Sequence, residues 1–384
     1  MINLHIVRNS VTIDGRVLRE TKSLSDSGFF KRVEICGLAQ PSDLYEEVLD
    51  ERYVWRVALR TRKLPKDLLS QSVKYLEWYC RIIKAYRDKP IMVIHCHDLE
   101  PLPIAVRLKK LVGAKIVYDA HELETERNGV HGLRKSLAKW AERSLLRFVD
   151  TMITVSPSIR SWYAARFPHI PISLVRNIPP LIESPETPQK LKERLNIPDK
   201  TLLFLYLGGL TSGRGIEITL NAFQNPQVLH HIAFMGSGPL SKQIADAQKN
   251  CNRIHLLEPV LRGKIIDCSR GADVGICLYE DTCLNHRYCL PNKLFEFLLA
   301  GIPVLASDLP DQAELVRSYD AGWVIQNDVE KIVHFLSELS SDEAQRVRNG
   351  LNERVKSLRW ENEATVLINM YNGLLMTKFR SNFR

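Results

Sequence analysis

Residues 288–308 read YCLPNKLFEFLLAGIPVLASD, and the order of features in that stretch decides how the chain is built. Pro291 stands where a helix would begin, because proline suits a first helical turn. Leu294, Phe295, Leu298 and Leu299 then recur at helical spacing. Gly301 stops the helix, and residues 302–306 read as a short buried strand. A helix start offers free N–H groups and the positive end of its dipole to whatever lies in front. Lys293, in the first turn, is placed to meet phosphate. Glu296, one turn on, could accept hydrogen bonds from the paired hydroxyls of a sugar. The combination fits a nucleotide diphosphate; a surface helix with an ordinary Lys and Glu fits the spacing equally well.

Outward from this stretch, strands and helices alternate, which predicts an α/β protein of parallel sheets wound with helices. In the first half, strands are expected at 4–7, 32–38, 92–95, 115–119, 151–155 and 173–176. Helices are expected at 14–27, 102–111 and 137–148, with another opened by Ser156 as N-cap. The Pro-rich run IPPLIESPETP (178–188) predicts a linker. The pattern then restarts, with strands at 202–207, 231–235, 254–257 and 274–277 and a helix at 217–223. A last helix spans 360–375. A length of 384 residues exceeds one ordinary core, so two domains are expected, 1–178 and 201–359, with 179–200 joining them.

The run Pro291-Asn-Lys-Leu-Phe-Glu296 followed by Ala300-Gly-Ile-Pro-Val-Leu-Ala-Ser-Asp308 resembles the nucleotide-sugar site of family 4 glycosyltransferases. These have the GT-B fold, two Rossmann-like domains facing across a cleft, and retain anomeric configuration. The resemblance implies that the helix from residue 360 returns to the first domain. It also implies a nucleotide-sugar donor, a UDP-sugar before a GDP-sugar, with no further cofactor and no metal. The family places two glutamates separated by seven residues. Glu296 matches the second, and Tyr288 stands where the first would fall.

Strand 202–207 runs into Gly208-Gly-Leu-Thr-Ser-Gly-Arg-Gly215. Glycines let backbone approach a ligand closely, although a tight strand-to-helix turn needs them too. The loop resembles the family's phosphate-binding loop, with Arg214 at its Lys position and Gly209 where the family has Arg. Arg214 would clamp the diphosphate, and Lys293 could replace the missing charge. Gly236 and Gly238 form a second Gly-rich turn beside the nucleotide. Tyr288, Leu290, Pro291 and Asn292 complete the donor side.

In the first half, His121 ends strand 115–119 at a place where the family has a histidine facing the donor sugar. His95-Cys-His97-Asp98 ends the preceding strand. His-x-His suggests metal, but no third ligand stands at a standard spacing, so His97 and Asp98 are assigned a structural or acceptor-side role. Gly15 would give a close-approach loop and Arg16 could meet an acceptor phosphate; a plain helix start capped by Asp14 is as good a reading.

The net charge of +9 is uneven. Residues 52–89 hold eleven Lys/Arg against three Asp/Glu, and residues 127–147 hold six against one. No nucleic-acid module is recognisable. An anionic membrane surface or a phosphorylated substrate is the expected partner, with residues 70–86 as a basic helix that either lies on lipid or faces the core. No run is long and apolar enough to span a bilayer. The N-terminus reads as a strand rather than a leader, and the eight scattered cysteines suit free thiols in a reducing cytoplasm. The protein is thus expected in the cytoplasm, peripheral on the inner face of the membrane.

Three functions compete. A retaining glycosyltransferase acting on a lipid-linked glycan, in cell-surface polysaccharide or lipopolysaccharide synthesis, leads. A non-hydrolysing nucleotide-sugar epimerase shares the fold but needs paired carboxylates that are not evident. A non-catalytic sugar-nucleotide-binding or scaffold protein would explain the departures at Tyr288 and Gly209.

Overall fold

The computed structural model describes residues 1–12, 14–129, 131–181 and 191–381, the side chains of 377–381 excepted. The chain forms two compact units, Met1–Asn177 with Glu363–Arg384, and Ile178–Asn362. Of the expected linker, residues 182–190 lie outside the described residues.

Unit 1 contains β1 (Ile2–Ile6), α1 (Gly15–Asp26), β2 (Arg32–Leu38), β3 (Glu46–Leu49), β4 (Arg52–Val57), α2 (Leu68–Tyr86), β5 (Ile91–His97), α3 (Leu102–Val112), β6 (Lys115–Ala120), α4 (Gly132–Leu146), β7 (Thr151–Thr154), α5 (Pro157–Arg166) and β8 (Ile172–Leu174). The strands order as β3-β4-β2-β1-β5-β6-β7-β8. All pair in parallel except β3, which runs antiparallel to β4. Strands β1 and β7 are buried at every position, as helices on both faces of a parallel sheet require. Asp14 caps α1 by accepting from the Val17 N–H, and Ser156 caps α5 from Ile159.

The β3–β4 hairpin is absent from the sequence reading. Its turn residues, Asp50 and Glu51, both adopt positive φ (45° and 68°). That is the geometry of a two-residue hairpin, but without the Asn-Gly or Asp-Gly pair that signals one.

Unit 2 contains α6 (Leu191–Arg194), β9 (Leu203–Leu207), α7 (Ile216–Gln224), β10 (His231–Met235), α8 (Ser241–Asn250), β11 (Ile254–Leu257), α9 (Ile265–Ser269), β12 (Val274–Cys277), α10 (Leu284–Arg287), α11 (Asn292–Leu299), β13 (Val304–Ser307), α12 (Pro310–Ser318), β14 (Gly322–Ile325), α13 (Val329–Glu338), α14 (Ser341–Arg348) and α15 (Leu351–Arg354); α16 (Trp360–Ser381) follows. Six strands order as β11-β10-β9-β12-β13-β14. Strand β9 shows how the sheet is filled. Leu203, Leu205 and Leu207 join one core cluster with Leu294 and Leu298 of α11. Phe204 and Tyr206 join another with Phe223 and Phe234. Each such burial removes apolar surface worth roughly 1.5–3 kcal/mol from water.

From Glu363 onward, α16 belongs to unit 1. Arg176 grips the Glu363 carboxylate through Nε and Nη2 at 2.9 and 2.6 Å. Tyr371 Oη lies 2.8 Å from His95 Nδ1.

Candidate active site residues in each unit

In unit 2, β9 ends in a loop that turns into α7. Gly215 caps that helix at φ +79°, and a Cβ there would lie 1.8 Å from the Leu278 carbonyl oxygen, so only glycine fits. The two Gly-rich turns are locked to each other. Gly208 N–H donates to Met235 O and Leu210 N–H to Ser237 O. A Cβ on Gly236 would meet Gly208 O at 2.0 Å, and one on Gly238 would meet Leu210 O at 2.4 Å. Gly236 and Gly238 are therefore accounted for by backbone packing between neighbouring turns. Gly208, by contrast, has open space before it, and a Cβ at Gly209 would meet only the Arg214 guanidinium, at 3.3 Å.

Helix α11 begins one residue later than the sequence suggests. Pro291 is its N-cap, with extended backbone, and no side chain caps the helix. Asn292 opens it, half-buried like Tyr288, while Leu290 is buried behind. Lys293 does not project into solvent. Its residue is buried, and its ammonium stands 3.5 Å from the centre of the Tyr206 ring and 5.1 Å from that of Tyr279. Among the described residues Nζ has no hydrogen-bond partner. Burial, together with the charge of Arg214, lowers its pKa to about 8. Arg214, half-buried, makes no ion pair among the described residues. Two cations thus stand near one another without carboxylate partners, beside the N-terminus of an uncapped helix. Glu296, on the same helix, is also buried.

In unit 1, a polar network fills the C-terminal ends of β5 and β6. Arg16 of α1 is almost wholly buried and fully engaged. Its Nε and Nη2 donate to the two oxygens of Asp119 at 2.8 and 2.7 Å, and Nη1 donates to Val175 O. Glu20 lies 3.0 Å away. The expectation that Arg16 meets an acceptor phosphate is overturned, because its donors are used inside the protein. Gly15 opens α1 itself rather than forming a loop.

His121 is brought against Asp119, Nε2 to Oδ2 at 2.9 Å, and its Nδ1 lies 3.4 Å from Asp98 Oδ2. Burial by itself would lower its pKa; the two facing carboxylates raise it to about 10. The imidazole is therefore a cation at neutral pH and offers N–H groups rather than a lone pair. Asp98 holds its position at φ +67° and accepts from the His121 backbone N–H. His97, by contrast, is enclosed, bonded to His5 at 3.0 Å and to Asp119 at 3.3 Å. It is a structural member of the network and cannot touch an acceptor.

The sequence reading missed Asp119, Glu20 and His5. Asp119 was within reach, since positions i and i+2 of a strand share a face. Glu20, His95, His97 and Asp119 bring four possible metal-ligand atoms within 4.8 Å of one another, as do His5, His95 and His97 among themselves. Ring orientation argues against a shared ion. The three imidazoles stack, with His95 and His97 only 14° from parallel and His5 27° from each.

Comparison with known proteins bears on both units. Residues 15–180 match the model of the glycosyl transferase 4-like domain, and residues 201–342 match that of glycosyl transferases group 1. The chain belongs to the GT-B glycosyltransferases of family 4. Its fold is similar to that of sucrose-phosphate synthase from Thermosynechococcus elongatus, with a TM-score of 0.78 at 17% identity, covering 98% of this chain and 100% of that one. It is likewise similar to Anabaena HepE in complex with UDP-glucose, at TM-score 0.73 and 13% identity over 97% and 100% of the two chains. In sequence, an alignment of 297 positions with chitobiosyldiphosphodolichol beta-mannosyltransferase of Candida albicans is 24% identical and covers 68% of this chain. The match spans 63% of that relative's length. Among the described residues of this glycosyltransferase, no helix is long and apolar enough to cross a membrane.

Proposed function

We propose that this glycosyltransferase moves a sugar from a nucleotide-diphosphate sugar, a UDP-sugar in the first instance and a GDP-sugar as the alternative, to a lipid-linked glycan. The reaction would serve cell-surface polysaccharide or lipopolysaccharide synthesis at the cytoplasmic face of a membrane. The observation that carries the donor assignment is the pair of cations, Arg214 and Lys293, without carboxylate partners beside the start of α11. The HepE structure with UDP-glucose supports the donor class. The name of the Candida relative, a dolichol diphosphate enzyme, supports a lipid-linked acceptor.

Leaving-group departure is the step these residues serve. As the bond from the anomeric carbon to the diphosphate breaks, negative charge grows on phosphate. Arg214, the Lys293 ammonium and the free N–H groups of α11 are fixed before the reaction and need no reorganisation. Glu296 is assigned to the hydroxyls of the nucleotide's or donor's sugar, with the Tyr288 hydroxyl in place of the family's first glutamate. His121, a cation whose Nε2–H is taken by Asp119, is assigned to a donor-sugar hydroxyl through Nδ1–H, which at 3.4 Å from Asp98 is the less engaged of its two donors. With retention, the departing phosphate takes the acceptor's proton, so no separate base is required.

A second reading follows from the name of the Candida relative, a beta-mannosyltransferase. Formation of a β-linkage from an α-linked nucleotide sugar inverts the anomeric centre and requires a base. Asp98, a part-exposed carboxylate whose pKa burial raises, is the candidate.

A thermal-shift panel of UDP-, GDP-, ADP- and CMP-sugars tests the donor, since a ligand of the folded state raises the midpoint. Stabilisation by one base class, lost in Arg214→Met, is the expected result. No response to any of the four would sink the proposal. The anomeric coupling of the isolated product then separates retention from inversion.

A further inference from the structure

We infer that unit 1 carries a bilayer-docking surface formed by the N-terminal halves of α2 and α4, and that its occupant is an anionic lipid membrane. This deepens the lipid-linked acceptor reading above and rests on it for its purpose.

Exposed apolar side chains are concentrated there. Of the eighteen large apolar residues exposed among the described residues, eight fall within two short stretches, 64–76 and 133–140. The pattern is the same in both helices. In α2, Leu69, Val73 and Leu76 follow i, i+4, i+7 spacing; in α4, Leu133, Leu137 and Trp140 do so. Each helix also has a buried stripe, Trp78 and Ile82 in α2 and Glu142 and Leu146 in α4. The stripes stand nine residues apart, which at about 100° per residue is half a turn off. Each helix therefore shows a second apolar face turned straight away from its own core. Leu69 is 81% exposed, Leu133 77% and Trp140 70%. Core packing explains neither stripe.

Topology puts both stripes on one rim. Helix α2 leads into the N-terminal end of β5, so its own start lies toward the strands' C-terminal ends. Tyr75 Oη confirms this by donating to Glu100 O, just beyond β5. Helix α4 follows the C-terminal end of β6, anchored by Lys135 and Lys139 on Glu126. Helix α3 packs against both. That rim also holds Asp98 and His121.

The charge around the stripes selects the occupant. Arg60, Lys63 and Lys66 precede the first stripe, and Arg134 and Arg143 flank the second; all are exposed and make no ion pair among the described residues. Apolar side chains that end in a tryptophan, ringed by unpaired cations, are what a headgroup region carrying negative charge accommodates. Docking there would bring a lipid-linked acceptor to the rim where Asp98 and His121 lie.

The test is flotation of the full chain with vesicles of phosphatidylcholine alone or with added phosphatidylglycerol. The protein should float only with phosphatidylglycerol, less so as salt rises. The double variant Leu69→Glu/Trp140→Glu should lower the floated fraction roughly tenfold or more, as should Lys63→Glu/Lys66→Glu. Because these residues are exposed, thermal midpoints and the shift produced by the nucleotide sugar should stay as in the wild type. Equal flotation with neutral vesicles, no flotation with either, or flotation unchanged in both variants would overturn the docking surface. A lost nucleotide-sugar shift in the wild type would instead count against the donor assignment, independently of lipid.

Discussion

The Lys293 ammonium lies 3.5 Å from the centre of the Tyr206 ring, buried and without a hydrogen-bond partner among the described residues. A cation–π contact offsets part of the cost of burying the charge, yet it leaves all three N–H donors unused. Burial holds the pKa at about 8, well under 10.5.

This makes the pH response of Lys293 diagnostic. An anionic ligand favours the charged form, so UDP affinity should weaken as pH rises from 7 through about 8 and beyond. The unliganded protein should respond in the opposite sense. A lysine whose folded pKa is depressed binds its proton better when unfolded, so its contribution to stability rises with pH between about 8 and 10.5. Lys293→Met should remove both effects and cost about 2 kcal/mol of UDP binding, roughly thirtyfold. Calorimetric titration across pH 7–10 checks it; an unchanged affinity in Lys293→Met would refute the assignment.

His121 should behave in the reverse direction. Its folded pKa, raised to about 10 by Asp98 and Asp119, favours the folded state in full below its ordinary value of 6.5. That contribution declines as pH climbs from there and is lost through about 10. Chemical denaturation of wild type and His121→Asn should differ most near pH 6 and converge above pH 10. In assays, His121→Ala should lower kcat roughly 10²–10³-fold if its N–H stabilises the reacting donor. A ring resonance titrating near 6.5 would show that the carboxylates do not hold the proton.

Asp119→Asn leaves the buried Arg16 guanidinium half-paired. Breaking such a pair costs about 3–5 kcal/mol, so the variant should be far less stable than Asp98→Asn, whose carboxylate is part-exposed. Urea midpoints of the two variants decide this. Equal losses would mean that Arg16 finds its compensation elsewhere.

Gly236→Ala separates packing from ligand contact. Its Cβ would lie 2.0 Å from the Gly208 carbonyl oxygen, so backbone must move. A loss of about 1–3 kcal/mol is expected. Gly209→Ala meets only the flexible end of Arg214 and should leave stability nearly unchanged while altering UDP affinity. If Gly209→Ala destabilises as much as Gly236→Ala, the loop is a structural turn and nothing more.

Much of the architecture was written in local pattern. Strand β2 and strand β10 fall where apolar runs predict them, and Asp14 and Ser156 cap their helices as their side chains require. These signals are short-range, because a strand buried on both faces must be apolar along its length and a helix start must satisfy its own N–H groups. The β3–β4 hairpin escaped because its turn residues carry no glycine and β3 lies at the sheet edge, where burial imposes no strict alternation.

What long-range packing decided is the state of each polar side chain. Arg16 looked available in sequence, and a carboxylate 103 residues away consumed it. His121 became a cation because two strand ends place Asp98 and Asp119 on either side of it. In sequence Lys293 reads as a cation placed to meet phosphate or as an ordinary surface lysine, and the ring of Tyr206 on a different element encloses it. Residues 288–308 by themselves determined a helix, a stop and a strand, with a cation and a carboxylate one turn apart. Whether that cation is paired, buried or free depends on desolvation and on charges from other elements. Those terms exist only once the chain has brought distant segments within a few ångströms.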